Sequence, residues 1–568
     1  MSLQSVFDIA EVCARHGIHH AVISPGSRNA ALTLAFARHP AIKTFVIPDE
    51  RSAGYIALGM AQQSGKPVVV ICTSGTAVYN LGPAVAEAFF QQIPLIVITA
   101  DRPPEWVAQQ DGQTLFQQNI FGHHVKQSFQ LPVSRQHPDE HWHINRIVNE
   151  SINLSQNLPQ GPVHINAPFR EPFYPANGEE LPYSSDVRII KESERHYPLS
   201  EDEANKLRDR LKSFRKILIV SGQMPYDPQL VRQIEKLPNG IAVLADITSN
   251  LHECGRIIRH GDLLTALASD SLHKNLQPDL LITFGQSVLS KNVKVFLRKY
   301  PATEHWHIQP AGQTADTFQH LTRIIHTTPL HFMEWLTSCS AQNVDSEYYG
   351  LWKNADERIR SGISAFFNKT ALSELHLISE VIHHLSHDAC LHLANSMSIR
   401  YASLIGLPPL KHNIQVYANR GTSGIDGCTS TAVGHCLVNS GLHVLITGDL
   451  AFFYDRNAFW HNYPLPNLRI IVLNNHGGII FKLIDGPAYL PEADEYFVTR
   501  QPLNAKHLCS EYGFEYVPVV QPDDVHAGIE KLFSPGKTVK ILELETSVSD
   551  NVSIFEALKS HLRSVYAT

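Results

Sequence analysis

The sequence contains no apolar run of the roughly 18–20 residues that a membrane-spanning helix needs. Its first ten residues lack the basic segment and apolar core of a signal peptide. Basic residues are in the minority, with 47 Lys and Arg against 54 Asp and Glu and a formal net charge of -7. This balance gives no electrostatic attraction to nucleic acid or an anionic membrane. We therefore expect a cytoplasmic protein without membrane insertion or nucleic-acid binding, in which any basic site is local.

Two kinds of metal or redox motif are also missing. The eight cysteines form no C-x-x-C pair, and the 32 histidines include no H-E-x-x-H or Cys/His zinc spacing. Scattered cysteines are typical of reduced, mostly buried thiols in a cytoplasmic enzyme. Paired histidines such as His123-His124 are interpreted as solvated or packed side chains rather than metal ligands.

The first 170 residues alternate between short β-branched runs and longer amphipathic ones. Strands are predicted at residues 18–23, 43–47, 67–72, 94–100 and 163–167. Helices are predicted at residues 28–39, from 50 to about 64, and at 75–92. Strand runs without polar alternation, separated by helices, indicate a parallel sheet that is covered on both faces.

Polar stretches at residues 176–205 and 340–356 predict linkers between three such segments. The second segment has predicted strands at 216–221, 241–247, 280–284 and 304–308. The third has predicted strands at 389–394, 414–417, 443–447, 468–473 and 539–544. The predicted fold class is α/β, with three doubly wound parallel-sheet domains at residues 1–180, 195–345 and 365–568.

The strongest local signal is Gly448-Asp449-Leu450 followed by Asn474-Asn475, because each follows an apolar strand run. Ligands of parallel sheets bind at the carboxyl ends of strands. Asp449 and Asn475 would offer hard oxygen ligands to Mg²⁺, with phosphate oxygens or water completing its shell. Gly477 would let the backbone approach a diphosphate and could offer its carbonyl to the ion. The alternative is a pair of ordinary strand-end turns, in which Asp and Asn are common.

This pattern resembles the thiamine-diphosphate motif, a Gly-Asp-Gly followed further along the chain by Asn-Asn. Leu450 departs from it, because the general motif has glycine there. A thiamine enzyme also needs a carboxylate against the aminopyrimidine ring of the cofactor. Glu50 is the candidate, since it follows a predicted strand and opens a helix. The alternative is an ordinary first-turn acid stabilised by the helix dipole.

Longer motifs occur in a fixed order along nearly the whole chain. They are Ile23-Ser24-Pro25-Gly26-Ser27-Arg28, Asp49-Glu50-Arg51, Thr73-Ser74-Gly75-Thr76-Ala77, Thr99-Ala100-Asp101-Arg102-Pro103-Pro104-Glu105, Asn395-Ser396 with Arg400, Asn419-Arg420-Gly421-Thr422-Ser423-Gly424-Ile425-Asp426-Gly427, Gly448-Asp449-Leu450, and Asn474-Asn475-His476-Gly477-Gly478-Ile479-Ile480-Phe481. The set resembles the 2-succinyl-5-enolpyruvyl-6-hydroxy-3-cyclohexene-1-carboxylate (SEPHCHC) synthase family, in which Leu450 is expected. The likeness is dense in the first and third segments and thin between them.

The resemblance implies thiamine diphosphate as cofactor with Mg²⁺ (or Mn²⁺). It implies that Glu50 favours the imino tautomer of the aminopyrimidine, which takes the proton from the thiazolium carbon. Ile425 would hold the two rings in a bent conformation, and Thr76, Ile480 and Phe481 would lie near them. Asp449, Asn475 and Gly477 would bind the metal.

The resemblance also implies two dicarboxylate substrates, 2-oxoglutarate and isochorismate. Guanidinium groups bind carboxylates bidentately and stay charged when desolvated. Four arginines inside the motifs, Arg28, Arg102, Arg400 and Arg420, predict a shared anionic pocket, although any one of them alone fits a surface or helix-cap role. Ser27, Gln113 and Ser396 are implied to add hydrogen bonds. The family often carries a basic pair from its middle domain, where this chain has Lys291-Asn292, so Lys291 would act alone.

The implied reaction is decarboxylation of 2-oxoglutarate and 1,4-addition of the succinyl carbanion to isochorismate, giving SEPHCHC and carbon dioxide in menaquinone biosynthesis. A homodimer or a dimer of dimers is expected. One alternative is another thiamine-diphosphate enzyme, a 2-oxoacid decarboxylase or an acetohydroxyacid synthase-like carboligase, which would not require the arginines. A second is a non-catalytic ligand-binding α/β protein, and intact Glu50, Asp449 and Asn475 count against it.

Overall fold

The computed structural model describes residues 3–134, 137–171, 173–176, 181–193, 195–339, 343–367, 372–408, 412–484 and 486–567. The predicted linkers therefore lie partly outside the described residues, at 177–180, 194 and 340–342. The chain forms two compact units. Unit 1 comprises Met1–Glu194, Asn419–Ser440 and Ala451–Pro466, and unit 2 comprises Arg195–Ala418, Gly441–Leu450 and Asn467–Thr568.

A parallel sheet of six strands occupies the described part of unit 1. Its strands are β1 (His20–Ile23), β2 (Lys43–Val46), β3 (Val68–Cys72), β4 (Leu95–Asp101), β5 (Ser128–Gln130) and β6 (Val163–Pro168). They lie in the order β2-β1-β3-β4-β6-β5. The helices of this segment are α1 (Gln4–Arg15), α2 (Ala30–Ala37), α3 (Glu50–Ser64), α4 (Thr76–Asn80), α5 (Gly82–Gln91) and α6 (Pro138–Gln156). Both β3 and β4 are buried along their whole length, as expected of a sheet covered on both faces.

The second parallel sheet lies in unit 2. Its strands are β7 (Ile217–Ser221), β8 (Ala242–Ala245), β9 (Ile257–Ile258), β10 (Leu280–Phe284), β11 (Glu304–Ile308) and β12 (Arg323–Ile325). They lie in the order β12-β11-β10-β7-β8-β9. The helices of this segment are α7 (Glu201–Leu211), α8 (Pro228–Glu235), α9 (Gly261–Leu267), α10 (Asp270–Leu276), α11 (Lys291–Lys299), α12 (Pro329–Ser338) and α13 (Ser346–Phe367).

The third parallel sheet, also in unit 2, repeats the strand order of the first. Its strands are β13 (Cys390–Leu393), β14 (Gln415–Tyr417), β15 (His443–Gly448), β16 (Leu468–Asn474), β17 (Glu515–Val519) and β18 (Lys540–Glu545), in the order β14-β13-β15-β16-β18-β17. The helices of this part of the chain are α14 (Glu374–His384), α15 (Met397–Ile405), α16 (Cys428–Val438), α17 (Asp449–Tyr454), α18 (Ile480–Leu483), α19 (Ala505–Tyr512), α20 (Asp524–Phe533) and α21 (Val548–Ala567). Of these, α16 and residues 451–454 of α17 belong to unit 1.

The prediction of three α/β segments with parallel sheets is confirmed. All strand pairs within the three sheets are parallel. Each sheet lies within one of the predicted ranges 1–180, 195–345 and 365–568, and these domain limits stay a prediction. No helix in the described ranges is both long enough and apolar enough to cross a membrane.

Local predictions were wrong in three places. The single helix predicted at residues 75–92 is interrupted at Leu81, because Pro83 has no N–H and belongs at the start of a new helix, α5. The linker predicted at 340–356 contains the start of α13, whose Tyr348 and Trp352 are buried. Four short or polar strands, β5, β9, β12 and β17, were not predicted.

All eight cysteines lie in the described ranges, are buried and form no disulfide. This agrees with the interpretation of the cysteines as buried thiols. Burial raises the pKa of several of them, including Cys13 and Cys390, to about 12, which keeps the thiols protonated and unreactive.

Within unit 1, α3 packs closely on α16. A Cβ on Gly59 would lie 2.1 Å from the carbonyl oxygen of Thr431, so only glycine allows this approach of the two backbones. Beside it, the fully buried Asp455 accepts hydrogen bonds from the backbone N–H and the hydroxyl of Ser430, each at 2.7 Å. Asp455 thus ties the segment after α17 to the start of α16.

Asp455 predicts a pH-dependent stability difference. Burial raises the pKa of Asp455 to about 7, whereas an unfolded aspartate ionises near ~3.9. The folded state therefore binds the extra proton, and stability falls as pH rises from about 4 to about 7 and is level above that. Relative to Asp455→Asn, the wild-type protein should lose about 1 kcal/mol per pH unit in that window. Melting curves of both proteins at pH 5, 6, 7 and 8 measure this. A constant difference across the series would contradict the assignment.

Candidate active site

Asp449 and Asn475 follow neighbouring strands of the third sheet. Strand β15 pairs in parallel with β16, and Gly448 lies opposite Leu473. Asp449 comes directly after Gly448, and Asn475 lies two positions beyond Leu473, so both are at the carboxyl edge of the sheet. Only 2% of Asp449 and 5% of Asn475 is exposed. The structure thus brings the two predicted residues to the edge where parallel sheets bind ligands.

The carboxylate of Asp449 is held by hydrogen bonds from the second motif and from a later segment. Gln501 Nε2 donates to Asp449 Oδ2 at 2.7 Å. Burial raises the pKa of Asp449, and hydrogen bonds from Gln501 and from the backbone N–H groups of Leu450 and Gly477 oppose that shift. The contact with Gly477 joins the two motifs directly.

Asn475 presents its amide in one orientation. Its Nδ2 donates to Glu374 Oε1 at 2.5 Å, while its Oδ1 is buried and accepts no hydrogen bond from the described residues. A buried oxygen without a donor is costly unless a cation or ligand takes its lone pairs. Together with the Asp449 carboxylate, this oxygen fits the hard-ligand chemistry of Mg²⁺ or Mn²⁺.

The turn after Asn475 depends on glycine. A Cβ on Gly477 would lie 2.7 Å from Val498 Cγ1 and 2.9 Å from the Val498 carbonyl oxygen. The N–H of Gly478 donates to that carbonyl at 2.6 Å. Val498 ends a short π-helix, Ala493–Val498, against which the turn is fixed. Ile480 opens α18 within the same motif.

Phe481, the other predicted ring contact in this motif, packs against Phe497 with the ring centroids 5.7 Å apart.

Among the described residues, no three His, Cys, Asp or Glu side chains are grouped to hold a metal ion. Asp449 is the only carboxylate among the predicted metal ligands, so a cation there needs oxygen ligands from outside the chain, such as a diphosphate.

Glu50 is the first residue of α3, as predicted from the sequence. Asp49 caps this helix by accepting hydrogen bonds from the N–H groups of Arg51 at 2.9 Å and Ser52 at 3.4 Å. Glu50 itself is half-buried, and burial, together with the neighbouring Asp49, raises its pKa. In the described part of the chain, no other side chain hydrogen-bonds to the Glu50 carboxylate. Glu50 is therefore a partly desolvated carboxylate, available to an external donor.

Arg28 and Arg102 lie close enough in unit 1 to affect each other electrostatically. The pKa of Arg28 is lowered by burial and then by the charge of Arg102. The Arg28 guanidinium lies over the ring of Phe173, 4.5 Å from its centroid. Arg102 forms an ion pair with Asp111. The structure thus places the two predicted arginines in one region of unit 1, with acidic side chains, Asp111 among them, close to both.

The remaining predicted residues of the first segment are on the surface of unit 1. Ser27, Thr76 and Gln113 are exposed. Gln113 lies against Gly75, where an added Cβ would be 3.2 Å from Gln113 Cα. Gln117, which was not predicted, is buried and accepts a hydrogen bond at 3.0 Å from the N–H of Gly75.

The motif that carries Arg420 and Ile425 belongs to unit 1 and is anchored there by Glu87. This buried side chain of α5 accepts hydrogen bonds from the N–H of Gly421 at 2.7 Å and the N–H of Thr422 at 2.6 Å. Arg420 and Ile425 are half-buried on either side of the anchored turn.

Three predicted substrate contacts lie in unit 2. Arg400, on α15, is exposed and donates through Nη1 to the carbonyl oxygen of Ser396 at 2.5 Å. Lys291 is exposed at the start of α11. The neighbouring Asn292 donates through Nδ2 to Asp262 Oδ2 at 3.1 Å, so the residue in place of a second basic group is held by a carboxylate.

Four supporting residues of the sites were not predicted: Glu374, Glu87 and Gln117, which are buried, and Gln501, which is half-buried. Each acts on a motif residue far away in sequence, 101 positions in the case of Glu374 and Asn475. Glu374 opens a helix after Ser373 and is indistinguishable in sequence from an ordinary first-turn acid.

Comparison with known families agrees with the fold. Residues 6–126 match the N-terminal TPP binding domain of thiamine pyrophosphate enzymes. Residues 190–393 match the family described as the middle domain of thiamine pyrophosphate. The chain is therefore a thiamine-diphosphate (thiamine pyrophosphate) enzyme.

Curated relatives indicate to which family of thiamine-diphosphate enzymes the chain belongs. The 2-succinyl-5-enolpyruvyl-6-hydroxy-3-cyclohexene-1-carboxylate synthase of Cytophaga hutchinsonii is 45% identical over 99% of this chain and 100% of its own length. Synthases of the same name from Flavobacterium johnsoniae and Phocaeicola vulgatus are 38% and 36% identical, over 96% and 95% of both chains. The chain belongs to the SEPHCHC synthase family.

Proposed function

We propose that this enzyme decarboxylates 2-oxoglutarate and adds the resulting succinyl unit, in a 1,4-addition, to isochorismate in menaquinone biosynthesis. The observation that carries the proposal is the near full-length likeness to relatives named for the product, SEPHCHC. The arginines of the motifs add a physical reason, because both substrates are dicarboxylates.

The cofactor would be held through its diphosphate and a divalent cation. Asp449 Oδ atoms, Asn475 Oδ1 and the Gly477 carbonyl are the ligands that we assign to Mg²⁺ or Mn²⁺. When bound, thiamine diphosphate supplies the carbanion chemistry that a 2-oxoacid decarboxylation requires. Thr76, Ile425, Ile480 and Phe481 are assigned to contacts with its rings.

Glu50 is assigned to the aminopyrimidine ring of the cofactor. Its raised pKa and its lack of a side-chain partner among the described residues fit a carboxyl group that hydrogen-bonds to a weakly basic ring nitrogen. A half-buried position strengthens that hydrogen bond relative to one in water.

The substrate carboxylates are assigned to Arg28, Arg102, Arg400, Arg420 and Lys291, with Ser27, Gln113 and Ser396 as hydrogen-bonding partners. Lys291 acts without the second basic residue of the pair, because Asn292 stands in that position and is engaged by Asp262. These groups position the substrates and stabilise charge rather than transfer protons.

A direct assay tests the proposed reaction. The purified enzyme is given 2-oxoglutarate and isochorismate, with and without thiamine diphosphate and Mg²⁺, and SEPHCHC and carbon dioxide are measured. Carbon dioxide release without SEPHCHC would indicate a simple decarboxylase instead. We also propose a homodimer or a dimer of dimers, which sedimentation analysis would distinguish.

The arginine assignment predicts large losses in substrate binding. Replacing Arg28, Arg102, Arg400 or Arg420 by Ala should each cost about 2–5 kcal/mol where a desolvated ion pair with substrate is broken. In each variant, the KM for one of the two dicarboxylates should rise. The substrate whose KM rises is the one that the replaced arginine binds.

Arg146→Ala is the matched control, because Arg146 forms a partly exposed i,i+4 ion pair with Glu150 in unit 1. Such pairs contribute little, so its kinetics should equal those of the wild-type enzyme. Wild-type kinetics in all four arginine variants would place the substrate carboxylates elsewhere.

A further inference from the structure

Glu374 is a buried carboxylate beside the proposed cation site. It is the first residue of α14 and is 1% exposed. Its backbone N–H donates to Asn551 Oδ1 at 3.0 Å, and Asn551 Nδ2 donates in turn to Thr546 Oγ1 at 2.8 Å and to the Ser547 carbonyl oxygen at 2.9 Å. The position of Glu374 is thus fixed from both the helix and the segment that follows β18.

The contact of Glu374 with Asn475 determines which side of the amide faces the site. Nδ2 and Oδ1 are on opposite arms of one planar group, so the donation of Nδ2 to Glu374 directs Oδ1 away from Glu374. That oxygen is buried and receives no hydrogen bond from the described residues. Rotation of the amide by half a turn would present an NH₂ group instead, which cannot bind a cation.

We infer that Glu374 is a positioning residue for the metal ligand Asn475, and that it acts through this hydrogen bond. The inference rests on the proposed cation site at Asp449 and Asn475. Glu374 Oε1 accepts from Asn475 Nδ2, and this hydrogen bond stabilises the amide orientation in which Oδ1 is left for the ion. Gln501 has the corresponding positioning role for Asp449, because its Nε2 donates to Asp449 Oδ2.

Removal of the hydrogen-bond acceptor should weaken cation binding and leave the fold intact. In Glu374→Leu the side chain keeps a similar volume but accepts no hydrogen bond, and loss of such an outer partner typically lowers metal affinity by about 10–100-fold. Glu374→Gln retains an amide oxygen that can accept from Asn475 Nδ2. Its affinity should therefore stay within about threefold of the wild-type value, because the hydrogen bond and not the charge carries the effect.

The measurement is Mn²⁺ binding in the presence of thiamine diphosphate, read from the free-Mn²⁺ signal in electron paramagnetic resonance. It is independent of turnover. Asp356→Leu is the control, since Asp356 is another buried carboxylate of unit 2 that accepts hydrogen bonds from the backbone of His260 at 2.7 Å and of Arg259 at 3.0 Å. Its Mn²⁺ affinity should be unchanged, and circular dichroism checks the fold of each variant.

The outcomes separate the inference from the site on which it rests. If the wild-type protein binds no Mn²⁺, or if Asp449→Ala binds Mn²⁺ as tightly as the wild-type protein does, the proposed cation site and the inference are both wrong. If that site holds and Glu374→Leu binds Mn²⁺ within threefold of wild type, the positioning role alone is wrong. If Glu374→Leu does not fold, Glu374→Gln decides. A tenfold or larger loss in Glu374→Gln overturns the inference, since the hydrogen bond would then not be sufficient.

Discussion

Glu50→Gln should lower turnover by at least about 100-fold, because one catalytic proton-transfer group is typically worth 10²–10⁴-fold. Glutamine can occupy the same half-buried place at the start of α3, but its amide can neither give up nor take up a proton as a carboxyl group does. The cofactor diphosphate is assigned to other residues, so the affinity for thiamine diphosphate should change much less than turnover does. Steady-state rates and calorimetric titration of the cofactor give the two quantities.

Glu201→Gln is the matched control for this experiment. Glu201 is also the first residue of a helix, α7, but it is exposed and lies outside the motifs. If Glu50 were only a first-turn acid, the two variants would behave alike, with small losses of stability from the helix dipole. A Glu50→Gln enzyme with more than about a tenth of the wild-type rate would contradict its catalytic assignment.

The raised pKa of Glu50 adds a test by pH. Because burial raises this pKa, the carboxyl group takes up its proton at a higher pH than an ordinary glutamate does. The acid limb of the turnover profile should therefore lie above the range of an exposed glutamate. It should be absent from the residual activity of Glu50→Gln, since the amide does not titrate.

The sheet edges that carry the site could be predicted because their signals are local. The strand before Asp449 and the strand before Asn475 are short apolar runs that end in polar residues, and the structure ends β15 at Gly448 and β16 at Asn474. The start of α3 at Glu50 was predicted for the same reason, from a strand followed by an Asp-led helix. Adjacency of β15 and β16 required the strand order, which no local pattern contains.

The supporting residues could not be predicted because their roles depend on packing. Glu87 is 335 positions from Thr422, whose N–H it accepts, and sequence shows it only as an acid on an apolar helix. Asn292 was recognised as a departure from a basic pair, but its bond with Asp262 depends on the meeting of α11 with α9. Long-range contacts of this kind satisfy buried polar groups that a linear pattern leaves open.

Asp449→Ala should abolish the dependence of cofactor binding on a divalent cation. Asp449 is the single carboxylate of the proposed donor set, and its loss removes the only protein charge that we assign to the ion. We expect the affinity for thiamine diphosphate with Mg²⁺ or Mn²⁺ to fall at least about 100-fold, the upper end of what the loss of an outer-shell partner costs. Without a divalent cation, the variant and the wild-type protein should bind the cofactor equally weakly.

The ionisation of Asp449 adds a pH dependence that the same experiment can measure. Burial raises the pKa of Asp449, and a cation binds only the ionised form, so the metal affinity of the wild-type protein should fall as pH falls through this raised pKa. Asp449→Ala has no such group and should lose this dependence.

Asp523→Ala, at an exposed aspartate of unit 2, controls for the loss of one negative charge and should behave as wild type. Titration calorimetry at several pH values, with and without the metal, measures all three proteins. Metal-dependent affinity that survives in Asp449→Ala would mean that the diphosphate and its cation bind at another strand end.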